Sequence, residues 1–354
     1  MTLKLWLRDE TKEFERRTAL IPTHARKLLD LGVEVTVESS KDRIFPDSDY
    51  EGLGCKIAPS QSWKIAPKDQ IILGLKEITD INHDFYHDHI YFAHVYKGQP
   101  DTQQVLGQYK RGKGRLFDLE FLVDENNRRV AAFGHWAGFV GAAISLDRYL
   151  QREISPDTTY PKLKSFENID LFLSSINDKI KQLNRKPRVI IIGAKGRCGN
   201  GAHDVFKRFD IECSLWDYEE TKKGGPFLEI LEHDIFINTV LLTKKIAPFI
   251  DLTLMKDPKK LKVVGDVSCD PESDFNPVAI YNRHTSWEEA FLTVEGSSTE
   301  VLAVDNLPSI LPKESSEDFS EQLIGHLENL HTQEQLPEVF LNALRVFNEK
   351  LTLV

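Results

Sequence analysis

The sequence predicts an α/β fold with two domains, each built around a parallel β-sheet. Short apolar runs alternate with helical patterns in both halves of the chain, an order that is typical of parallel sheets. The chain has 354 residues, and a single hydrophobic core usually stops growing at about 250–300 residues. We therefore expect one domain to consist of residues 1–133 and 312–354, and the other of residues 134–311.

The composition excludes several classes of protein. Hydrophobic residues make up 41% of the chain, enough to bury sizeable cores, so disorder is not expected. The formal net charge of −10 disfavours nucleic acids and anionic membranes as partners, because both need basic surfaces. The four cysteines form no CxxC pair, so we expect no metal site.

No targeting or membrane segment is expected either. The first residues, MTLKLWLRDETKEFERR, lack the apolar core of a secretory leader. No run of about 18 uncharged apolar residues occurs along the chain. We expect a cytoplasmic protein with reduced cysteines, whose partners are small-molecule substrates.

The first half of the chain opens with an apolar run at residues 3–7. A helix is predicted over HARKLLDLG, with Thr23 as its N-cap, and an alternating strand follows at residues 33–38. Two more apolar runs, at residues 70–74 and 90–93, end in polar residues. Because ligands of parallel sheets bind at the carboxyl ends of strands, those polar residues are the first candidates for a site.

The second half has a more regular pattern. A helix is predicted over residues 136–150, where Gly138 and Gly141 indicate close packing against a neighbour. Residues 151–168 are polar and are interpreted as a surface excursion, and strands alternate with helices again from Arg188. Residues 315–354 have a helical pattern and should return to the first domain, because a lone helix cannot bury its apolar face.

A glycine-rich turn follows the first strand of this second series. Residues 188–199 read RVIIIGAKGRCG and place Gly193, Gly196 and Gly199 between a strand and a helix. Such glycines allow a sharp turn and let a pyrophosphate approach the amides of the helix N-terminus. The spacing GxxGxxG is less specific than GxGxxG, so an ordinary strand–helix turn without a cofactor stays open as the alternative.

The next strand supports a dinucleotide site. It reads CSLWD and ends in Asp217, eighteen residues after Gly199. A carboxylate there binds the ribose hydroxyls of NAD and repels the 2′-phosphate of NADP, so NAD is the predicted cofactor. Two lysines, Lys222 and Lys223, leave NADP open. Further polar residues expected at strand ends of this domain are Asn238, Asp266 and Ser268.

Two strands of the first half are followed by residues with acid–base chemistry. IILGLKE supplies Lys76 and Glu77, and YFAHVYK supplies His94 and Lys97. A lysine in a cleft can have its pKa lowered and exchange protons with an amine, and a histidine can activate water near neutral pH. Each residue alone is more often structural or solvated, and only the pairing at two strand ends predicts a catalytic site.

Two arginines are candidate ligands for carboxylates. Arg17 lies in ERRTALIP and Arg129 in NNRRVAAFG, and a guanidinium binds a carboxylate through two parallel hydrogen bonds. Glu120, in DLEFL, is placed to moderate the positive charge of such a site. The alternative for the arginines is a surface ion pair, and for Glu120 an outward-facing strand position.

Taken together, these segments resemble the NAD-dependent, lysine-forming saccharopine dehydrogenase family, within the superfamily of alanine dehydrogenase and transhydrogenase. The resemblance extends from about residue 3 to the last helix. The stretches that carry it are RDETKEFERRTALIPT, IILGLKEI, YFAHVYKG, FDLEFL, RRVAAFGHWAGFVGAA, VIIIGAKGRCGNGA, TKKGGPF, DIFINT, KKIAPFI, NPVAIY and DNLPSILPKESS.

The resemblance implies two Rossmann-like domains with the active site in the cleft between them. It implies that saccharopine is oxidised with NAD to an imine, which water hydrolyses to lysine and 2-oxoglutarate, the last step of the α-aminoadipate pathway of lysine biosynthesis. By motif position, Lys76 takes the proton of the secondary amine and His94 is the acid–base group for imine hydrolysis. The residues that tune these two groups or bind substrate carboxylates are Glu77, Glu120, Arg17, Arg129 and Lys97.

The family pattern also implies a monomer, and an NAD site lined, beyond the three glycines, by Arg197, Cys198, Asp217, Thr221, Val267 and Asp305. This chain departs from the pattern at three places. Asn306 stands where the family often has a histidine, Leu241 where an aromatic residue is expected, and residues 282–294 do not match. These departures bear on cofactor contacts and substrate selectivity.

Two other functions stay open. One is a related enzyme, such as alanine dehydrogenase or another imine-forming opine dehydrogenase, whose clefts also pair an arginine and a lysine with a histidine. The other is a non-catalytic nucleotide-binding regulator, against which the intact Lys76 and His94 argue.

Overall fold

The computed structural model of the chain describes residues 3–80, 82–96, 99, 101–183, 185–242, 244–257 and 260–354, and Lys97 lies outside these described residues. Helices alternate with parallel strands, so the predicted α/β class is confirmed. The chain divides into two compact units. Unit 1 consists of Met1–Ala132 and Pro312–Val354, and unit 2 of Phe133–Leu311.

The strands, in chain order, are β1 (Lys4–Leu7), β2 (Glu34–Glu38), β3 (Lys56–Ala58), β4 (Ile71–Leu73), β5 (Asp88–Tyr91), β6 (Leu116–Asp118), β7 (Val189–Ile192), β8 (Cys213–Trp216), β9 (Ile235–Asn238), β10 (Ile250–Asp251), β11 (Val263–Asp266), β12 (Val278–Ala279), β13 (Leu292–Thr293) and β14 (Glu300–Leu302). The helices are α1 (Pro22–Asp30), α2 (Asp47–Glu51), α3 (Thr102–Gly112), α4 (Gly134–Ile154), α5 (Ile169–Gln182), α6 (Arg197–Arg208), α7 (Tyr218–Thr221), α8 (Pro312–Thr332) and α9 (Glu338–Leu351). Along the described residues, none of these helices combines the length and apolar character that a membrane crossing needs.

Unit 1 is built on a six-stranded parallel sheet in the order β3-β2-β1-β4-β5-β6. Its central strands are apolar because helices cover both faces of a parallel sheet, and Leu5, Leu7 and Val37 are at most 1% exposed. The chain builds outward from β1 in both directions, so the order reverses between β1 and β4. Ligands of open α/β sheets bind outside the carboxyl ends of the strands at such a switch point.

The start of the first helix differs from its prediction. Helix α1 begins at Pro22 with Ile21 as its N-cap, and no side chain caps it, so the predicted N-cap Thr23 is wrong. Proline is favoured in the first turn because its fixed φ suits a helix and its missing N–H needs no partner there. The segment before α1 is fixed instead by α8, where the hydroxyl of Ser320 accepts a hydrogen bond from the Ile21 amide (3.1 Å).

Strand β5 contains a buried histidine, His89. The strand begins at Asp88, two residues earlier than predicted. The prediction left out Asp88 and His89 because both are polar, although His89 is 0% exposed. Its ring packs edge-on against Trp63 (5.3 Å between centroids) and Tyr109 (5.6 Å). Neither ring nitrogen has a hydrogen-bond partner within the described residues. Burial therefore holds the pKa of His89 well below its ordinary value.

Unit 2 is built on a six-stranded sheet in the order β13-β14-β11-β9-β7-β8. All neighbouring strands are parallel except β13, which pairs antiparallel with β14 at the edge. Strands β10 and β12 form a separate two-stranded parallel sheet. The order reverses between β7 and β9, so the switch point of this unit lies beside the glycine turn that follows β7.

Glycines allow α4 and α6 to pack at backbone distance. A Cβ atom on Gly138 would lie 1.8 Å from the carbonyl oxygen of Cys198, and one on Gly201 would lie 1.9 Å from that of His135. A Cβ atom on Gly141 would lie 2.8 Å from Val267. The predicted close packing at Gly138 and Gly141 is confirmed. Helix α4 also runs to Ile154, beyond the predicted end at residue 150, so the excursion is shorter than predicted.

Replacing Gly201 by alanine is expected to destabilise the protein by about 1–3 kcal/mol, because the new methyl group must displace the backbone of α4. Gly325, in α8, is the matched control, since a Cβ atom there meets nothing within 4 Å. Gly325→Ala should stabilise the protein by about 0.5–1 kcal/mol through higher helix propensity. Urea unfolding followed by circular dichroism measures both, and equal effects of the two changes would contradict the packing argument.

The buried His89 predicts a pH-dependent stability. The unfolded chain takes up a proton at this histidine below about pH 6.5, whereas the folded chain does not, so stability should fall as the pH drops below that value. The expected loss is up to about 1.4 kcal/mol per pH unit from this group. His89→Phe should make the dependence of the urea midpoint between pH 6.5 and 5 shallower. An unchanged slope would mean that His89 is charged in the folded protein.

Candidate active site

Ionisable side chains follow four strands of the unit 1 sheet. Parallel strands end on one side of their sheet, so the residues that come next are brought to the same edge. This edge includes the switch point between β1 and β4. The residues concerned are Arg8 and Glu10 after β1, Lys76 and Glu77 after β4, His94 after β5, and Glu120 after β6.

The backbone of Lys76 is held by the segment that follows β1. The carboxylate of Glu10 accepts hydrogen bonds from the amides of Leu75 (2.6 Å) and Lys76 (3.0 Å). The guanidinium of Arg8 donates to the carbonyl oxygen of Lys76 and lies 3.4 Å from Glu10. Burial raises the pKa of Glu10, while Arg8 and the two amides oppose that rise. Nothing in the sequence pattern had pointed to Arg8 or Glu10.

His94 has an uncommon backbone conformation. Its φ of 53° is in the left-handed region, which a residue other than glycine adopts at a cost and often at functional sites. Its side chain is 49% exposed, and Nδ1 lies 4.0 Å from the Glu120 carboxylate. Burial of part of the ring lowers the pKa of His94, against the opposing charges of Glu77 and Glu120. The imidazole is therefore neutral near pH 7 and can accept a proton.

Glu77 is paired with Lys12, a residue that the sequence analysis did not select. The Lys12 ammonium lies 2.5 Å from the carboxylate. Burial alone would raise the pKa of Glu77, but the hydrogen bond and charge of Lys12 and the charge of Lys76 lower it on balance. Lys12 was missed because it lies in a run of alternating charges, RDETKEFERR, which has the pattern of a solvated surface.

Arg17 forms a buried two-point ion pair with Glu15. Nε of Arg17 lies 2.8 Å and Nη2 2.6 Å from the two carboxylate oxygens, and both residues are 3% exposed. Burial would raise the pKa of Glu15, but Arg17 and the charge of Lys76 hold it at about 2. The charge of Lys76 thus acts on this pair as well as on Glu77 and His94.

The structure places the remaining candidates of unit 1 differently. Arg129 is exposed and lies in a turn whose backbone pairs with Val123 in an antiparallel bridge. Lys97 lies outside the described residues. The structure therefore brings Lys76, Glu77, His94 and Glu120 into electrostatic range of one another, while Arg129 lies on the hairpin that follows β6.

In unit 2, the three glycines of the turn have different surroundings. Gly193 has a φ of 89°, and a Cβ atom there would lie 2.5 Å from Thr239. A Cβ atom on Gly199 would lie 2.2 Å from the carbonyl oxygen of Gly193. Gly196 is exposed, and its nearest such contact would be 3.4 Å. Gly193 and Gly199 are thus required by the turn, while Gly196 leaves the N-terminus of α6 open to a ligand.

Asp217 lies at the end of β8 and contacts the glycine turn. Its carboxylate accepts hydrogen bonds from the amides of Lys195 (2.9 Å) and Tyr218 (2.8 Å). Its own amide donates to Glu220 (2.8 Å), which completes a capping box at α7. The turn and the acid that would bind a ribose are therefore held together by hydrogen bonds, and the cradle fits the adenosine half of a dinucleotide.

The other predicted cofactor residues are spread along the same side of the sheet. Arg197 and Asp305 are exposed, Cys198 and Val267 are half-buried, and Thr221 is buried. The Thr221 hydroxyl donates to the carbonyl oxygen of Asp217 (2.8 Å). No group of three or more potential metal ligands occurs among the described residues.

Polar residues at the ends of β9 and β11 form one buried network. The amide of Asn238 donates to Asp266 (2.8 Å) and to the hydroxyl of Ser268 (2.7 Å). The Tyr281 hydroxyl donates to Asp266 (2.6 Å). Burial and the charge of Asp266 raise the pKa of Tyr281. The network fixes the loop that carries Val267, and Tyr281 was missed because it follows only a two-residue strand.

The departures from the family pattern have local explanations in part. Asn306 has a φ of 64°, a conformation that asparagine tolerates well, and its side chain donates to the Ser309 hydroxyl (2.6 Å). Leu241 is 62% exposed. Within residues 282–294, Thr285 pairs with Val304 in a parallel bridge, which joins this segment to the unit 2 sheet.

Unit 1 has acid–base residues at the carboxyl edge of its parallel sheet. Unit 2 has a glycine-rich turn of the dinucleotide-binding type at the switch point of its sheet. These features define a two-domain, nucleotide-dependent dehydrogenase. A family model described as alanine dehydrogenase/PNT, N-terminal domain, matches residues 6–140.

The comparison with curated proteins is more specific. The saccharopine dehydrogenase (NAD(+), L-lysine-forming) of Schizosaccharomyces pombe is 43% identical over 357 residues, which cover 97% of this chain and 97% of that protein. The protein of the same name from Neurospora crassa is 43% identical over 359 residues, which cover 98% and 96%. The chain belongs to the saccharopine dehydrogenase (NAD(+), L-lysine-forming) family, so the predicted family is confirmed.

Solved structures agree with the fold. An L-alanine dehydrogenase structure superposes with a TM-score of 0.68 at 18% identity, covering 98% of this chain and 94% of that chain. At this level of identity the likeness concerns the fold alone.

Proposed function

We propose that the chain catalyses the NAD-dependent oxidation of L-saccharopine to an imine, and the hydrolysis of this imine to L-lysine and 2-oxoglutarate. The observation that carries the proposal is the placement of Lys76 and His94 after the neighbouring strands β4 and β5, where the charge of Lys76 acts on His94. Relatives at 43% identity over nearly the whole chain carry that activity in their name.

In the oxidation, Lys76 accepts the proton that the secondary amine of saccharopine loses. Loss of this proton makes the nitrogen lone pair available to form the C=N bond. Glu15 and Glu77 favour the resulting ammonium of Lys76, because both carboxylates act on its charge. NAD supplies the hydride acceptor, a chemistry that no side chain provides.

In the hydrolysis, His94 takes a proton from the water that attacks the imine. Its lowered pKa keeps the ring neutral and ready to accept this proton near pH 7. Glu120, 4.0 Å from Nδ1, stabilises the imidazolium that forms. His94 passes this proton to the imine nitrogen, which gives a carbinolamine. The carbinolamine hydroxyl then loses its own proton through His94 to the departing lysine nitrogen as the C–N bond breaks and the C=O bond forms, so His94 acts as base and as acid.

The three carboxylates of saccharopine require cations. We assign Arg17, Arg129 and Lys97 to this role, with Glu77 and Glu120 limiting the excess positive charge. Arg17 reaches a substrate carboxylate while it is oriented by Glu15, whose pKa of about 2 keeps it ionised at all working pH values. A guanidinium that is already oriented loses little entropy on binding.

For the cofactor, we propose that the turn with Gly193, Gly196 and Gly199 binds the pyrophosphate and that Asp217 binds the adenosine ribose. Further contacts are assigned to Arg197, Cys198, Thr221, Val267 and Asp305. The exposed N-terminus of α6 supplies amide donors, and the Asp217 carboxylate already lies against the turn. Domain 134–311 is thus the NAD-binding domain, and residues 1–133 with 312–354 form the substrate-binding domain.

We also propose that the enzyme acts in the cytoplasm as a single chain. The mass in solution, measured by light scattering, should then be that of one chain, 40.5 kDa.

The test of the function is turnover of saccharopine with NAD, with NADH, lysine and 2-oxoglutarate formed in equal amounts. Lys76→Met and His94→Gln should each lower kcat by about 100-fold or more, because each removes a proton-transfer group, and NAD should still bind. Lys64→Met is the control, since that lysine pairs with Asp80 and is not among the charges that act on Glu77 or His94, so kcat should be unchanged. Faster oxidation of alanine than of saccharopine would instead favour an alanine dehydrogenase, and NADH binding without any turnover a regulator.

The role of Asp217 is tested by the choice of cofactor. Asp217→Asn should weaken NADH binding by about tenfold, because a charged acceptor for the ribose hydroxyls is lost, and NADPH should bind relatively better. Asp178→Asn is the control, since this exposed acid of α5 pairs with Lys181 and lies on none of the segments assigned to the cofactor. Fluorescence titrations with NADH and NADPH measure both variants. A ratio of affinities that stays at the wild-type value in Asp217→Asn would remove Asp217 from the ribose site.

A further inference from the structure

Lys76 is held by its neighbours at both of its backbone polar groups. Its amide donates to Glu10 (3.0 Å), and its carbonyl oxygen accepts from Arg8. The preceding amide, that of Leu75, donates to the second oxygen of the same carboxylate (2.6 Å). Backbone hydrogen bonds toward β5 continue beyond β4 as far as Leu75, whose carbonyl oxygen accepts from the Phe92 amide (3.0 Å). Lys76 is the next residue, and its own amide and carbonyl are held by Glu10 and Arg8.

The residue after β4, Gly74, leaves room for the guanidinium of Arg8. A Cβ atom on Gly74 would lie 2.2 Å from Nε of Arg8, so only glycine leaves room for the guanidinium there. On another side, the guanidinium lies 5.5 Å from the centre of the Tyr91 ring. The side chains of Arg8 and Glu10 are only 4% and 6% exposed.

Burying the ion pair of Arg8 and Glu10 costs desolvation free energy that the packing of apolar side chains would not cost. Replacing a buried ion pair by apolar residues is often neutral or stabilising, so such a pair is weak evidence for a role in stability alone. Nε of Arg8 is buried and has no hydrogen-bond partner among the described residues, which adds to the cost. The pair gives in return a fixed geometry for the peptide groups on both sides of Lys76.

We propose that Arg8 and Glu10 are positioning residues that fix the Lys76 amine for proton transfer from the substrate. This rests on the proposed function, in which Lys76 is the base. The pair fixes the backbone from which the Lys76 side chain extends. Proton transfer is sensitive to such placement, and a displacement of about 1 Å can lower a rate by roughly 100-fold.

The first test is Glu10→Gln, which keeps the shape of the side chain but presents an NH2 group to one of the two amides. The kcat for saccharopine should fall about 10- to 100-fold, with the KM for NAD unchanged. The pH–rate profile should shift, because Lys76 moves relative to Glu15 and Glu77. Gly74→Ala, which displaces Arg8 without touching Glu10, should change kcat and the profile in the same direction.

The control is Asp47→Asn. Asp47 also accepts from an arginine, Arg43 (2.6 Å), and from a backbone amide, that of Ser40 (3.1 Å), in unit 1. Its loss should lower thermal stability but leave kcat and the pH–rate profile at wild-type values. A double-mutant cycle separates positioning from general damage: with Lys76→Met in place, Glu10→Gln should lower the residual rate no further.

A readout without substrate separates this proposal from the proposed function. Acylation of the Lys76 amine by acetic anhydride, followed by mass spectrometry across pH, reports its reactivity in wild type and in Glu10→Gln. The variant should move the pH at which Lys76 becomes reactive, and Asp47→Asn should not. If saccharopine is not turned over but this shift occurs, the function fails and the positioning stands. A wild-type labelling curve in folded Glu10→Gln, or a further tenfold loss in the Lys76→Met background, would overturn the positioning.

Discussion

Carboxylates at the strand ends hold the backbone amides of neighbouring loops in both units. Glu10 accepts from the loop after β4, and Asp217 from the glycine turn after β7. Glu38, at the end of β2 and 0% exposed, accepts from the amides of Asp9, Gln61 and Trp63. Loops that leave parallel strands have no ladder to satisfy their amides, and a buried amide without a partner is costly. These carboxylates supply the missing acceptors, so each loop has one preferred conformation.

This arrangement has an electrostatic consequence in unit 1. Carboxylates that fix loops also bring negative charge to the edge where Lys76 and His94 lie. Most are neutralised locally: Glu10 by Arg8, Glu15 by Arg17 and Glu77 by Lys12. The lowered pKa of His94 then follows mainly from burial, since the nearby acids and lysines oppose one another. Paired carboxylates can therefore fix the loop conformations without raising the pKa of His94 so far that the ring becomes protonated.

How far the sequence predicted this molecule depends on the kind of residue. Apolar runs and glycine spacing predicted most strands and the turn at Gly193, because burial and steric exclusion leave a local pattern. Polar residues directly after those runs, Lys76 and His94, were also visible. Arg8, Glu10 and Glu15 were not, because a charged residue that is buried in the fold has the same local pattern as one that is solvated. Lys12 is exposed and has the pattern of an ordinary surface lysine. Thr23 was mispredicted as the N-cap because Pro22, which is favoured in the first turn, begins the helix. The start of β5 was mispredicted because it contains a buried histidine.

The residues that escaped prediction are the ones that set the geometry of the proposed chemistry. A catalytic lysine needs an amine whose proton affinity is set by its surroundings, and it needs a fixed position. Its own sequence neighbourhood supplies neither after a three-residue strand. The position has to come from another strand, and β1 is the neighbour of β4 at the switch point. Strand β4 also pairs with β5, so the topology limits the positioning residues to the carboxyl ends of these two strands, although no motif marks them. In unit 2, β9 is likewise the neighbour of β7, and the network around Asp266 follows β9 and β11 at the corresponding edge.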